Sequence, residues 1–340
     1  MSSVNPLPRR TVLDLTLTSQ AKQKERQSQL DALPPIYKEP CTEEDNKILN
    51  LSLADLVHSH ASGSLSTHTI LQAYGKKAVA AQEATNCLAA VLIPDILRSK
   101  TLPQIPSTGY DSMSDIDASS PVQEKLLLSG VPVSIKDCID IQGYDTTVGY
   151  SSRVNHPASS SAAIVRLLHA AGAITHVKTT TPPGMLGLET SSDLFGRTSN
   201  PYNEDYTSGA STGGGSALLV YKGSMIEIGT DIGGSVRLPA HWCGIYAMRS
   251  SIGRFPGWGC VSPLPGFEGV ETSCSPMSRR LDDLEDFWKR VVTMRPWEYD
   301  HTVSLIPVFC LIRGRAIGTD RSVLYFYCRM SSVSQFHGDP

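Results

Sequence analysis

Apolar residues recur three and four positions apart in the segment 53–91, which is the period of a helix that buries one face. The pattern predicts two helices there, with Ser64 or Ser66 as the N-cap of the second. The positions that share its apolar face are Ile70, Leu71, Tyr74, Ala78 and Ala81. Further upstream, residues 21–30 are charged and favour a helix on the surface.

Beyond residue 130 the period changes repeatedly between that of a strand and that of a helix. The predicted elements are strands at 131–135, 174–178 and 225–229, and helices at 160–171 (ended by Gly172), 213–221, near Pro239 and at 281–292. Such alternation predicts an α/β layered fold whose central sheet is mostly parallel or mixed. Two stretches are expected to be loops, residues 101–121 and 200–205. In the last segment of the chain, only residues 322–327 favour a strand.

Composition narrows the class of protein. Hydrophobic residues make up 40% and charged residues 19% of the 340 positions, which is typical of a soluble globular protein. A net charge of -3 and the lack of a long apolar run predict neither a nucleic-acid nor a membrane partner. The eight cysteines contain no C-x-x-C pair, which favours free thiols in a reducing, cytoplasmic compartment. No histidine spacing suggests a metal site.

Three segments carry candidate chemistry, and the first is GVPVSIKD at residues 130–137. Here Lys136 ends a strand that is otherwise built for burial. A lysine at such a place can extend its ammonium to solvent, and from this segment alone that is the better interpretation. The alternative is a desolvated lysine, whose amine would be neutral and able to act as a base.

The second segment is SGASTGGGS at residues 208–216. A flexible linker fits poorly, because the apolar residues 217–220 follow at once, and the Walker pattern of a phosphate loop is absent. Residues 209–213 match G-x-S-x-G, the nucleophile elbow of serine hydrolases. That elbow requires a preceding strand, whereas residues 200–205 predict a loop, so the match is discounted.

The third segment is GTDIGGSVR at residues 229–237. A strand leads into a tight turn that ends at Ser235. Consecutive amides with little side-chain cover can form a concave group of N–H donors, which stabilises a negative oxygen during acyl transfer. An ordinary glycine turn explains the segment equally well when it is taken alone.

Together the three segments resemble the amidase signature family, in which they occur in the same order. That family has a lysine in G-[LV]-P-[LIV]-x-[LIV]-K-D, a serine in a glycine-rich loop, and the nucleophile in G-x-D-x-G-G-S-[IV]-R. Residues 86–87 and 294–300 further resemble the fungal acetamidase-like branch. The resemblance implies an α/β/α layered sandwich with a mixed central sheet. It divides the chain into a polar arm (1–45), an amidase domain that is incomplete at its C-terminus (46–306) and a tail unlike the family (307–340).

The resemblance also implies a mechanism and its residues. Lys136 would be the base, Ser211 the proton shuttle and Ser235 the nucleophile that forms an acyl-enzyme. The substrate would be a small-molecule amide, with no metal and no cofactor, and a homodimer is compatible with the sequence. Two rivals stay open: a catalytically inactive truncated remnant, and a serine esterase that uses the elbow at 209–213.

By the same resemblance, the oxyanion would bind backbone N–H groups of the turn, with Ser211 also beside the substrate. These groups belong to Ile232, Gly233, Gly234 and Ser235. The family has a cis peptide bond before its bridging serine, here Ala210–Ser211, and usually a glycine at position 210.

Overall fold

A computed structural model describes residues 12–99, 127–262, 266 and 269–304. Its helices are α1 Val12–Asp31, α2 Glu43–Asn50, α3 Leu53–Ala61, α4 Thr67–Thr85, α5 Ile93–Arg98, α6 Ala163–Ala170, α7 Gly213–Val220, α8 Arg237–Trp242 and α9 Leu281–Thr293. Its strands are β1 Leu88–Val91, β2 Pro132–Lys136, β3 Ile174–Thr179, β4 Ser191–Ser192, β5 Gly196–Arg197, β6 Ser199–Asn200, β7 Asn203–Thr207, β8 Ile226–Asp231, β9 Tyr246–Ala247 and β10 Ser273–Ser278. The predicted loop at 101–121 and strand at 322–327 lie outside the described residues.

The centre of the fold is a six-stranded sheet with the order β1-β3-β2-β8-β10-β9. Strands β3, β2 and β8 run parallel, while β1, β10 and β9 join their neighbours antiparallel. The sheet is therefore mixed, and the predicted α/β class with a mixed central sheet is confirmed.

Helices cover both faces of this sheet. Every residue of β2, β3 and β8 is buried, as expected for parallel strands between two helical layers. One apolar cluster joins Val133, Ile135 and Ile228 to the buried sides of α6 and α9. On the opposite face, Val177 belongs to a cluster with α4 and α7. Polar residues on that second face, Lys136 among them, are thus buried as deeply as the apolar ones.

The segment 53–91 contains two helices, as predicted, but also a strand. Helix α4 begins at the predicted cap, where Ser66 Oγ accepts the amide of Thr69 at 3.1 Å. It ends at Asn86, whose φ of 56° breaks the helical path. The last apolar residues, Leu88–Val91, then form β1 at the edge of the sheet. The helical prediction was wrong for these four residues because a short apolar run has no period that distinguishes a helix from a strand.

The prediction of a loop at 200–205 was also partly wrong. Residues Ser199–Asn200 and Asn203–Thr207 pair antiparallel as a small hairpin outside the main sheet. The Asn200 side chain stabilises it, because its Nδ2 donates to the Thr207 carbonyl at 3.1 Å. Most residues of β7 are exposed, so no apolar alternation announced the strand.

The N-terminal arm packs on the domain through α1. Arg26 Nη1 donates to the Leu88 carbonyl at 2.7 Å, and Gln23 Nε2 donates to the Leu194 carbonyl at 3.0 Å. The helix is longer than the predicted 21–30, and the predicted boundary at residues 45 and 46 lies within α2. The division of the chain at 45 and 306 remains a prediction.

Candidate active site

Two neighbouring parallel strands, β2 and β8, end on the same side of the sheet, where ligands of α/β folds commonly bind. Lys136 is the last residue of β2, and the turn 231–236 follows β8. The loop 208–212, which leads into α7, is hydrogen-bonded to both Lys136 and the turn. The three sequence segments are therefore adjacent in space.

Lys136 does not extend to solvent. Its side chain is fully buried, and its Nζ donates to Ser211 Oγ at 2.6 Å. Nζ also donates to Thr230 Oγ1 at 3.1 Å and lies 3.4 Å from the Thr230 carbonyl oxygen. Burial lowers the pKa of Lys136 below its ordinary value, because removal from water disfavours the ammonium. The lysine is thus arranged to lose its proton and to accept one from a hydroxyl.

Ser211 is held between the lysine and the turn after β8. The peptide bond Ala210–Ser211 is cis, as the family resemblance implied. The next amide, that of Thr212, donates to the carbonyl of Ser235 at 3.0 Å. The predicted shuttle and the predicted nucleophile therefore lie on loops that are directly hydrogen-bonded to each other.

The same loop approaches α8 closely at Gly209. This residue has a φ of +84°, and a Cβ on it would lie 2.6 Å from the Cα of Pro239 and 3.0 Å from the Trp242 ring. Only glycine satisfies both conditions without a shift of backbone. The glycine-rich sequence is thus a requirement of packing at the site and not a flexible linker.

Asp231 shapes the turn that carries Ser235. Its carboxylate accepts the amides of Gly234 at 2.8 Å and Val236 at 3.2 Å, and it pairs with Arg237 at 2.8 Å. Burial alone would raise the pKa of this carboxyl, but these hydrogen bonds and the guanidinium lower it below its ordinary value. An ionised Asp231 therefore holds the conformation of the turn by binding two of its amides.

The turn leaves some of its amides open. The Gly234 amide donates to Asp231, whereas the amides of Ile232, Gly233 and Ser235 have no acceptor within the described residues. Gly233 is exposed and Ser235 is half-buried, so a small molecule could reach this side of the turn. Of the four predicted oxyanion donors, Gly234 is thus the one already engaged, and the other three keep that role as a prediction.

The rival elbow at residues 209–213 has an unexpected feature, since strand β7 precedes it. That strand belongs to the small exposed hairpin and not to the central sheet. Among the described residues, the hydrogen bond that Ser211 Oγ receives comes from Lys136, and no histidine contacts it. The Ser–His arrangement of a typical elbow hydrolase is therefore not formed at Ser211.

Sequence reasoning assigned no role to Thr230 or Asp231, although both lie in the third segment, nor to Glu227 just before it. The Asp-x-Gly-Gly spacing was the available signal for Asp231, because an aspartate often accepts amides of the turn that follows it. Nothing in the sequence marked Thr230 or Glu227, whose partners come from distant strands.

In the part of the chain that the structure describes, no group of three or more His, Cys, Asp or Glu side chains could hold a metal ion. Nor does any helix there combine the length and apolar character needed to cross a membrane. The cysteines in these residues are all free thiols.

Comparisons with known proteins identify the family of this chain. Residues 69–311 match the family model described as Amidase. An acetamidase of Emericella nidulans is 34% identical over 268 residues, which cover 78% of this chain and 46% of that protein. The vitamin D3 hydroxylase-associated protein of Gallus gallus is 32% identical over 260 residues, covering 76% of this chain and 52% of that protein.

A solved structure of fatty acid amide hydrolase superposes with a TM-score of 0.74 at 27% identity, covering 89% of this chain and 56% of that one. The chain spans about half the length of the curated relatives it matches. The family model covers well over half of this chain, and the lysine, the serine loop and the glycine turn meet at one site. The chain belongs to the amidase signature family.

Proposed function

We propose that this domain hydrolyses carboxylic acid amides, with Lys136 as base, Ser211 as proton shuttle and Ser235 as nucleophile. The observation that carries the proposal is the contact of 2.6 Å between Lys136 Nζ and Ser211 Oγ in a fully buried site. A neutral lysine amine accepts a proton from a hydroxyl, which an ion-paired lysine would not do.

The proposed proton path runs through one hydroxyl. Lys136 accepts the proton of Ser211, Ser211 accepts that of Ser235, and Ser235 Oγ attacks the amide carbonyl carbon. The carbonyl oxygen becomes negative and is stabilised by the open amides of the turn. The loss of one such donor typically costs about 3 kcal/mol of transition-state stabilisation. The proton then returns through Ser211 to the leaving nitrogen, the C–N bond breaks, and water hydrolyses the acyl-enzyme.

The substrate class follows from the relatives and from the site. The similar proteins include an acetamidase and a fatty acid amide hydrolase, and both names denote the cleavage of a carboxylic amide, which supports the same class of substrate here. For this chain we propose a small-molecule amide without narrower limits. A cytoplasmic location and a homodimer remain predictions.

The test is covalent labelling with a fluorophosphonate, which reacts with an activated serine, followed by peptide mass spectrometry. We expect modification of Ser235 in wild type and no modification in Ser235→Ala. The control Ser64→Ala, which replaces an exposed serine distant from Ser235 in sequence, should be labelled like wild type. Labelled wild-type protein should also release ammonia from simple primary amides more slowly than unlabelled protein.

Each rival predicts a different result of this experiment. Modification at Ser211 would support the serine esterase. Folded protein that reacts at neither serine, and releases no ammonia, would support the inactive remnant and contradict the proposal.

A further inference from the structure

One fully buried carboxyl beside the site has no role in the proposed mechanism. Glu227 on β8 is 0% exposed, and its Oε1 accepts a hydrogen bond of 2.6 Å from Thr179 Oγ1. Its Oε2 has no hydrogen-bond partner among the described residues. A carboxyl in such surroundings needs an explanation, because an unpaired buried charge is costly.

The register of the sheet places Glu227 beside β2, the strand that ends at Lys136. Glu227 pairs with Ser134, two residues before Lys136, and Thr179 pairs with Lys136 itself. Since paired residues of parallel strands share a face, all four side chains project to the same side of the sheet. The hydrogen bond from Thr179 to Glu227 therefore crosses β2 diagonally, from the level of Lys136 to that of Ser134.

Glu227 also touches the helix that carries the serine loop. A Cβ on Gly215, in the first turn of α7, would lie 2.4 Å from the carboxyl carbon of Glu227. Helix α7 begins two residues after Ser211. A single side chain thus contacts α7 and, through its hydrogen bond to β3, crosses the face of β2; β2 and α7 are the elements whose spacing sets the contact between Lys136 and Ser211.

The charge of Glu227 affects the protonation of Lys136, which lies near it. The titratable groups around it are the Lys136 amine from β2 and the Cys87 thiol. The uncharged residues that face it are Ser134 of β2, Thr179 of β3, Gly215 of α7 and Met277 of β10. Burial raises the pKa of Glu227 to about 7, against the opposing hydrogen bonds and the lysine. Burial raises the pKa of Cys87 to about 12, so the thiol stays neutral. An ionised Glu227 would favour the ammonium form of Lys136, which is the inactive form of the base.

We propose that Glu227 is a positioning residue that, in its neutral form, fixes β2 and α7 so that Lys136 meets Ser211. Its hydrogen bond to Thr179 and its contact with Gly215 supply the geometry. The absence of a negative charge leaves Lys136 free to be neutral. This inference rests on the proposed function, because it concerns the same lysine and serine.

The test compares Glu227→Gln, a neutral isostere, with Glu227→Leu, which cannot accept from Thr179. The control is Glu83→Gln, which makes the same change on an exposed glutamate. The rate of fluorophosphonate labelling is measured from pH 5.5 to 9. We expect Glu227→Gln to match wild type within about twofold at pH 5.5 and to label several-fold faster around pH 7 to 8, because wild type is partly ionised there. Glu227→Leu should label at least about tenfold more slowly at all pH values, and the control should match wild type.

A second readout does not depend on activity. The pKa of Glu227 is raised in the folded state to about 7 from an ordinary value of 4.5. Folded protein therefore holds this proton over a pH range in which unfolded protein has lost it, so wild type loses stability as pH rises from 4.5 to 7. The melting temperature of Glu227→Gln should rise relative to wild type over that range, and that of the control should not.

The outcomes distinguish a failure of the proposal for Glu227 from a failure of the proposed amide hydrolysis. If wild type labels at Ser235 but the ratio of the Glu227→Gln rate to the wild-type rate is constant with pH, the inference is wrong and the proposed function stands. If the melting temperatures show no pH-dependent difference, Glu227 is not held neutral and the inference is wrong. If wild type does not label at any pH, the proposed function fails and the inference with it.

Discussion

The buried lysines differ in whether a carboxylate lies within ion-pair distance of the amine. Three of them form ion pairs of 3.1 Å or shorter with buried aspartates, namely Lys22 with Asp145, Lys76 with Asp45 and Lys178 with Asp137. Lys136 is equally buried, yet within the described residues it has no carboxylate within ion-pair distance and bonds to hydroxyl and carbonyl oxygens instead. A carboxylate partner offsets the cost of burying an ammonium, whereas burial without such a partner lowers the pKa of Lys136 and favours its neutral amine.

The first prediction concerns this lysine. Lys136→Met should reduce amide hydrolysis by roughly a hundredfold to ten-thousandfold, the usual contribution of a general base. Lys136→Arg should be equally inactive, because a guanidinium keeps its proton at any practical pH. Wild-type activity should rise with pH as Lys136 becomes neutral, with a midpoint below the ordinary lysine value of 10.5.

These expectations are checked by steady-state rates between pH 6 and 9, in protein shown to be folded by circular dichroism. The control is Lys24→Met on the exposed side of α1. An arginine variant with near wild-type turnover would rule out Lys136 as the base.

At the scale of elements, helix α1 is tied to the site by a chain of buried charges. Lys22 pairs with Asp145 at 2.7 Å, and the Asp145 carbonyl accepts from Lys178 Nζ at 2.6 Å. Lys178 in turn pairs at 3.1 Å with Asp137, the residue after Lys136. The N-terminal arm therefore supports the loop and strand next to Lys136, although it is far from them in sequence.

The second prediction is that Lys22→Met destabilises the protein by about 3–5 kcal/mol. The reason is that the variant removes the cation paired with the buried Asp145 carboxylate, which then keeps only the amides of Asn155 and His156 as donors. Chemical denaturation measures the free energy of unfolding, and Lys24→Met provides the matched control two positions away on the same helix. Equal stability of the two variants would show that water or another group compensates Asp145.

At the scale of the whole molecule, several carboxyls make the fold sensitive to acid. Burial by itself would raise their pKa values, but cations, amides and hydroxyls around them lower each pKa below its ordinary value of 3.8. These groups are Asp45, Asp145, Asp231 and Asp300. Because unfolded protein takes up protons at a higher pH than the folded form does, their contribution to stability is present above pH 3.8 and is lost as pH falls further.

The third prediction follows directly. The melting temperature should fall steeply below about pH 4, and Asp145→Asn should flatten that fall because one of the proton-linked groups is gone. Differential scanning calorimetry from pH 3 to 6 is the measurement, with the exposed Asp31→Asn as control. A melting temperature that is constant down to pH 3 would contradict the assignment of these pKa values.

The limits of sequence reasoning show most clearly at strand β10. Its sequence, SCSPMS, is small and polar, with a proline that normally argues against an inner strand. Yet Pro276 lies opposite Ile228, and all six residues are buried between β8 and β9. Its burial depends on neighbours supplied by other parts of the chain, so no local pattern could predict it.

The sequence by itself determined the α/β class, three core strands and the three segments that carry candidate chemistry, because strand alternation and glycine-rich turns are local properties of a chain. Its resemblance to the amidase signature family also pointed to Lys136, Ser211 and Ser235 as the candidate catalytic residues. Only the tertiary structure decided that Lys136 is buried with no carboxylate of the described residues at ion-pair distance, that Gly234 is already bonded to Asp231, and that Glu227 lies near Lys136. Each of these depends on partners from separate strands and loops, and the environment of an ionisable group is set by what folding brings around it and not by its neighbours in sequence.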